Sequence, residues 1–181
     1  MWIKQAVDNP IEILLDHAHC ERKAAGFAIQ LMFRYIAEPG LSEVLSPLAR
    51  EELGHFERVL KLLQSRGKNL KQLPAPPYAS LLSKNIRKDE PWRMLDSFLV
   101  AGLIEARSHE RMSLLALNSP DEEIRDLYAD LLKSEAKHVC IYWTLSKERF
   151  SKEIITKRLK ELSGLEAAIL LELHPQPRMH S

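Results

Sequence analysis

The chain has 181 residues, 45% of them apolar, with 26 Lys and Arg against 25 Asp and Glu and a formal charge of +1. That length suits one domain with a single core, and the charge balance excludes a uniformly basic nucleic-acid-binding glove while leaving room for a local patch. Only 7% is aromatic, glycines number six, and runs of Val and Thr are scarce, which argues against a sandwich, barrel or Rossmann sheet.

Helix punctuation organises the chain. Asp8-Asn9-Pro10 supplies a cap with proline at the first helical position. From there the stripe Leu14, Ala18, Ala25, Ala28, Met32 predicts a helix over about 10–37, stopped by Glu38-Pro39-Gly40. A second helix starts near Ser42, or a turn later because of Pro47, and carries Leu48, Phe56, Val59 and Leu63 to Arg66-Gly67. Residues 67–90 break the pattern with Leu73-Pro74-Ala75-Pro76-Pro77, leaving space for a short helix from Ala79 to Lys88. A stretch of that length can carry the chain from one end of a bundle to the other. The third long helix runs from Pro91 to Leu117. Ser119-Pro120-Asp121-Glu122 reads as a capping box opening a fourth, to about Ser146. A fifth follows from Ser151, with a possible break at Ser163-Gly164, and ends before His174-Pro175; the tail beyond, with His174 and His180, reads as frayed. The expectation is an all-α single domain over 1–181. It is a four-helix bundle over about 10–146 with one long crossover between the second and third helices, plus a C-terminal helical extension over 151–173. Cys20 and Cys140 lie in apolar helical patterns and read as reduced core thiols. No signal-peptide core follows Met1 and no apolar run approaches the roughly 18 residues of a membrane span, so the chain reads as soluble and cytoplasmic.

The chemistry sits in two Glu-x-x-His pairs, Glu52/His55 and Glu135/His138. In a helix, i and i+3 share a face, so Glu and His can serve one metal or adjacent ones. Eighteen Glu and seven His in 181 positions furnish about 0.7 such pairs by chance, given the spacing that helix geometry sets, so the pairs alone prove little. Their placement says more. Glu21 interrupts the apolar stripe of the first helix between Ala18 and Ala25, and Glu105 that of the third between Ala101 and Met112. Glu21 precedes Glu52 by 31 residues and Glu105 precedes Glu135 by 30. With a rise of 1.5 Å per residue, each pair lies roughly 20–25 Å from its shared turn and meets across the bundle. One hairpin therefore occurs twice, and its halves offer four carboxylates and two imidazoles to one buried point. Four ionised carboxylates in a helical core would be prohibitively unstable alone. Two divalent cations cancel them, and an oxygen-rich set with imidazoles and no thiolate suits iron or manganese rather than structural zinc.

Neighbouring residues divide less cleanly. His109, one turn after Glu105, is either a partner of the site or a packed, hydrogen-bonded histidine, the latter favoured. Glu51 and Glu110 read as outward-facing, and His17 and His19 receive no role. Ala24, Ala25, Ala101 and Gly102 crowd the expected metal level, which means close packing or, slightly favoured, a pocket for dioxygen and an organic substrate.

At these residues the chain resembles the ferritin-like di-iron carboxylate superfamily and, within it, the MiaE family of tRNA hydroxylases. The narrower likeness rests on His19-Cys20-Glu21-Arg22-Lys23-Ala24-Ala25, Glu51-Glu52-Leu53-Gly54-His55-Phe56 and Leu103-Ile104-Glu105-Ala106-Arg107-Ser108. The resemblance implies a ferritin-like bundle with Glu21, Glu52, His55, Glu105, Glu135 and His138 as ligands of two iron ions. It also implies an oxygen-dependent monooxygenase hydroxylating the isopentenyl group of 2-methylthio-N6-isopentenyladenosine beside the tRNA anticodon. Dioxygen is then the co-substrate, and electrons come from an external ferredoxin or reductase, since the chain carries no flavin or nicotinamide motif.

An RNA partner finds some support in charge. Residues 61–93 hold eight Lys and Arg against two acids, among them Arg66, Lys68, Lys71, Lys84, Arg87 and Lys88, which are candidate tRNA contacts. Residues 147–160 hold six against two. The competing functions are a lipid-directed di-iron hydroxylase of the demethoxyubiquinone type, which would need an exposed apolar face, and iron storage or peroxide scavenging. No membrane partner is expected, and the expected state is a monomer or small homo-oligomer.

Overall fold

The computed structural model describes residues 2–180, and every regular element among them is helical. The order is α1 (Trp2–Asp8), α2 (Pro10–Arg34), α3 (Leu41–Ser65), α4 (Pro77–Ser83), α5 (Trp92–Asn118), α6 (Glu122–Lys147) and α7 (Lys152–Ile169). The four long helices form two hairpins, α2 with α3 and α5 with α6, joined by a crossover that contains α4. This is a ferritin-like bundle, with α4 and α7 laid against α5.

Boundaries depart from sequence expectation where local chemistry differs. Gly40, at φ 74°, takes the left-handed conformation that lets α3 open at Leu41. Pro47 therefore lies inside the helix rather than delaying it. The proposed capping box at Ser119 is shifted by two residues. Asp121 is the N-cap, accepting from the Ile124 amide at 3.3 Å, while the Ser119 hydroxyl accepts from the Asp121 amide. Helix α7 runs through Ser163-Gly164 without a break.

Two further differences concern the ends. Helix α1 has only seven residues, too few to show a period, yet Trp2 and Ala6 are buried. The segment after α7 is not frayed. The Trp2 indole donates to the Arg178 carbonyl at 2.7 Å, the Met179 amide donates to the buried Asp16 carboxylate at 2.8 Å, and Arg178, Met179 and His180 are all buried.

The core is layered. One apolar cluster holds Leu14, Ala18, Val59, Leu63, Met112, Tyr128 and Leu131. A second holds Ala28, Leu31, Leu45, Leu48, Phe98, Tyr142 and Leu145. On every long helix a glutamate singled out above lies between the two clusters, joined on α3 and α6 by a histidine. A third cluster, with Tyr78, Leu82, Leu99 and Ile155, fixes α4 and α7 on α5. The buried Asp96 carboxylate ties that layer together, accepting from the Arg87 amide and guanidinium and from Arg158 at 2.6–2.9 Å. Burial alone would raise its pKa, but the two guanidinium groups outweigh that and hold it below the usual carboxylate range.

Candidate metal centre

Six side chains from four helices converge in the layer between the two apolar clusters. Glu21, Glu52, His55, Glu105, Glu135 and His138 are all at most 5% exposed. Ligand atoms of Glu52, His55, Glu135 and His138 lie within 4.8 Å of one another. His55 Nδ1 sits 2.8 Å from Glu135 Oε1 and 3.4 Å from Glu21 Oε2, and His138 Nδ1 sits 2.8 Å from Glu52 Oε1 and 3.4 Å from Glu135 Oε1. Glu105 completes the group electrostatically, acting on Glu52 and feeling the charges of Glu135 and His138.

The atoms facing the centre are close but not hydrogen-bonded. Glu21 Oε2, Glu52 Oε1, Glu135 Oε1 and the Nδ1 atoms of both histidines are buried without a hydrogen-bond partner. Contacts of 2.8–3.4 Å that fail the angular requirement of a hydrogen bond are what a set of lone pairs aimed at a shared point produces. Buried polar atoms left in this state are costly without a cation among them. The residues fit a metal.

Ionisation shows the same demand for positive charge. Burial pulls the His55 pKa down, but Glu135 and Glu21 outweigh it and raise it to about 9. Burial is likewise overcome at His138, where Glu135 and Glu52 push the pKa up to about 12. Burial, then the Glu135 charge, raises Glu105 to about 8, and burial also lifts Glu52 well above its ordinary value. Glu21 goes the other way, because His17 and His55 overcome its burial and hold it low. Protons gather on the two histidines, Glu52 and Glu105, while His138 and His55 hold Glu135 below its ordinary value against its burial, so the positive charge that six crowded ligand-type groups call for falls on the imidazoles. Among these buried groups, Glu52, His55, Glu135 and His138 make a candidate metal site.

Three residues that sequence analysis passed over organise this cluster. Ser134 Oγ donates to the Leu131 carbonyl at 3.0 Å, so towards His55 it is an acceptor, and His55 Nε2 donates to it at 2.8 Å. His138 Nε2 donates to Glu51 Oε2 at 3.0 Å. Both imidazoles are thereby turned so that Nδ1 faces the centre. Glu51, expected to point outward, is half-exposed and still reaches the histidine. His17 Nε2 lies 2.5 Å from Glu21 Oε1 and its ring tilts against Tyr128. The signal for Glu51 and Ser134 was available: each immediately precedes the Glu of a Glu-x-x-His.

Beside the cluster lies a cavity of about 370 Å³, with Glu105 in its wall. Ala24 and Ala101 make the space, and Phe27, Ile104 and Tyr142 give it apolar sides. The small residues thus form a pocket at those two positions, while Ala25 is packed into the core and a Cβ added at Gly102 would meet the Tyr142 Cβ at 3.6 Å, an ordinary packing contact. Exposed Lys23, Ala79 and Ser80 contribute to its lining, so the pocket reaches the surface on the crossover side. His180 is also in the wall, bonded to Ser108 Oγ at 2.9 Å and stacked on Tyr78. Burial holds its pKa at about 3, so the ring is neutral.

The remaining candidates scatter. His109 is half-buried and outside the ligand cluster. His19 Nε2 bonds the Lys71 carbonyl at 2.8 Å, pinning the crossover to α2. Cys20 lines the pocket, but Cys140 is exposed rather than a core thiol, and both are free. Of the basic residues, Lys68, Lys71, Lys84 and Lys88 are exposed. Arg66 is paired with Asp121 and Glu123, and Arg87 with Asp96. No helix of the described residues is long and apolar enough to cross a membrane.

Comparison with known proteins agrees with this architecture. A solved structure described as protein 43 with aldehyde deformylating oxygenase activity from Synechococcus superposes with a TM-score of 0.97. It is 59% identical in sequence, over 99% of this chain and 91% of that one. A Pseudomonas putida protein named tRNA 2-(methylsulfanyl)-N(6)-isopentenyladenosine(37) hydroxylase is 37% identical over 180 residues, covering 99% of this chain and 87% of its own. A Salmonella typhimurium protein of the same name is 29% identical over 231 residues, with coverage of 99% and 84%. The family model described as tRNA-(MS[2]IO[6]A)-hydroxylase (MiaE) matches residues 1–181, from one end of the sequence to the other, and the chain belongs to that family.

Proposed function

We propose that this chain is a cytoplasmic, single-domain, non-haem di-iron monooxygenase. Its substrate is tRNA carrying 2-methylthio-N6-isopentenyladenosine next to the anticodon, and it hydroxylates the isopentenyl group. The observation that carries the reading is the junction of the carboxylate–histidine cluster with an apolar pocket at Glu105. Glu21, Glu52, His55, Glu105, Glu135 and His138 would hold two iron ions, which when bound supply the activation of dioxygen and the abstraction of an allylic hydrogen. Overall, substrate C–H, dioxygen, two electrons and two protons give C–OH and water, and the electrons come from an external ferredoxin or reductase.

The chain's own residues do the rest. Phe27, Ile104 and Tyr142 exclude water and hold a branched hydrocarbon by apolar contact beside Glu105. Lys23 at the pocket, with Lys68, Lys71, Lys84 and Lys88 on the crossover, draws in the phosphate backbone. His17 keeps Glu21 in place, and Ser134 and Glu51 aim the two imidazoles.

The test is nucleoside analysis of tRNA from cells lacking this protein. The hydroxylated nucleoside should vanish and its unhydroxylated precursor accumulate, and an E105A copy should fail to restore it. Persistence of the hydroxylated nucleoside would refute the assignment. A second reading, aldehyde deformylation, is suggested by the activity named for the Synechococcus protein and by the apolar pocket. The exposed crossover lysines favour RNA, since an aldehyde gives them nothing to bind. Formate release from a medium-chain aldehyde, with no turnover on prenylated tRNA, would reverse that preference.

A further inference from the structure

The two hairpins place matching residues behind the two histidines, and those residues differ in charge. The position just before Glu135 orients His55, and the position just before Glu52 orients His138. On one side the acceptor is the Ser134 hydroxyl, at 2.8 Å, its own proton already given to the Leu131 carbonyl. On the other it is the Glu51 carboxylate, at 3.0 Å. A hydrogen bond from an imidazole N–H to a carboxylate pushes electron density onto the opposite nitrogen and makes it a stronger ligand; a neutral hydroxyl does so much less. The two rings otherwise match, stacking with centroids 5.5 Å apart at 26° and each presenting Nδ1 to a glutamate at 2.8 Å.

We propose that the two cation positions are inequivalent by construction: the position served by His138 takes its metal first and holds it more tightly, because Glu51 backs that histidine whereas Ser134 backs His55. This rests on the reading of the cluster as a two-cation centre. The side chain of Glu51 is 49% exposed, and water screens part of its charge, so the expected gap is about tenfold, the lower end of what such outer partners contribute. Glu51 and Ser134 are positioning residues, acting through the imidazoles.

The test is calorimetric and spectroscopic titration of the metal-free, full-length protein with Co(II), independent of turnover. The native protein should bind two equivalents in resolved steps about tenfold apart. Glu51→Gln should weaken the tight step by about that factor and leave the other unchanged. Ser134→Glu should instead strengthen the weak step and close the gap from the opposite side. Circular dichroism of the metal-free variants confirms that each is folded. The native isotherm decides the matter without any variant: two equal steps would overturn the inequivalence while leaving the two-cation reading intact. E51Q shifting both steps together would overturn the role of Glu51. An absence of cobalt uptake would overturn the two-cation reading beneath it.

Discussion

The α2–α3 hairpin and the α5–α6 hairpin carry the same Glu-x-x-His and lead-glutamate pattern, with spacings one residue apart, but are finished differently around it. Four residues before Glu21 stands His17, buried and 2.5 Å from its carboxylate. Four residues before Glu105 stands Ala101, and the space a histidine would fill is part of the pocket. The first half therefore fixes its lead glutamate, while the second leaves its own facing open volume with a raised pKa. On the proposed reading, duplication supplies the ligands, and the departures from duplication set a fixed side apart from the side that would meet substrate.

The largest effect should come from erasing that difference. Ala101→His would fill the pocket beside Glu105 and is expected to cut hydroxylation by about a hundredfold while two metal ions still bind, as turnover and metal content measured on the same sample would show. The converse, His17→Ala, frees Glu21. It should lower metal affinity by about tenfold and the melting temperature by several degrees, since a buried carboxylate loses its partner at a cost of about 1–3 kcal/mol. Full retention of both properties would make the two halves equivalent after all.

The pH dependence of the metal-free protein offers a milder test. Glu105 keeps its proton to about pH 8 and His55 to about pH 9 in the folded state. The unfolded chain releases them near the ordinary carboxylate and imidazole values. The folded state thus binds more protons through this window, so stability falls as pH rises, from Glu105 over about pH 4.5–8, from His55 over about pH 6.5–9 and from His138 over about pH 6.5–12. The melting temperature should drop by at least about 5 °C between pH 6.5 and 9 without metal, and metal should flatten that slope because cations replace the protons. The smallest effect concerns the crossover that joins the halves. Replacing Lys68 or Lys84 with Gln should reduce the salt dependence of tRNA binding by about one unit of slope each, whereas Arg66→Gln should cost stability through Asp121 and leave that slope unchanged.

The long helices were legible because proline and glycine mark their ends and apolar residues recur every turn. The lead glutamates were legible for a related reason: Glu21 and Glu105 break an apolar stripe that has no other cause to be broken. Recognition of the flanking phrases added the family. What escaped was held by single contacts instead of periodicity. Helix α1 and the 178–180 segment are secured by an indole, a backbone amide and the Asp16 carboxylate, drawn from opposite ends of the chain. The cap at Asp121 was displaced because Ser119 and Asp121 are both competent and only geometry separates them. Glu51 and His17 looked ordinary because one is half-exposed and the other lacks the Glu-x-x-His signature. Likewise, a count of basic residues could not show that Asp96 and Asp121 already neutralise Arg87 and Arg66.

Everything here depends on two cations seated among the six inward side chains. Crystals grown with ferrous iron and measured at the iron absorption edge would locate them directly. The account predicts two anomalous peaks enclosed by Glu21, Glu52, His55, Glu105, Glu135 and His138. A map featureless at that point, with Glu21 and Glu105 rotated towards solvent, would contradict it.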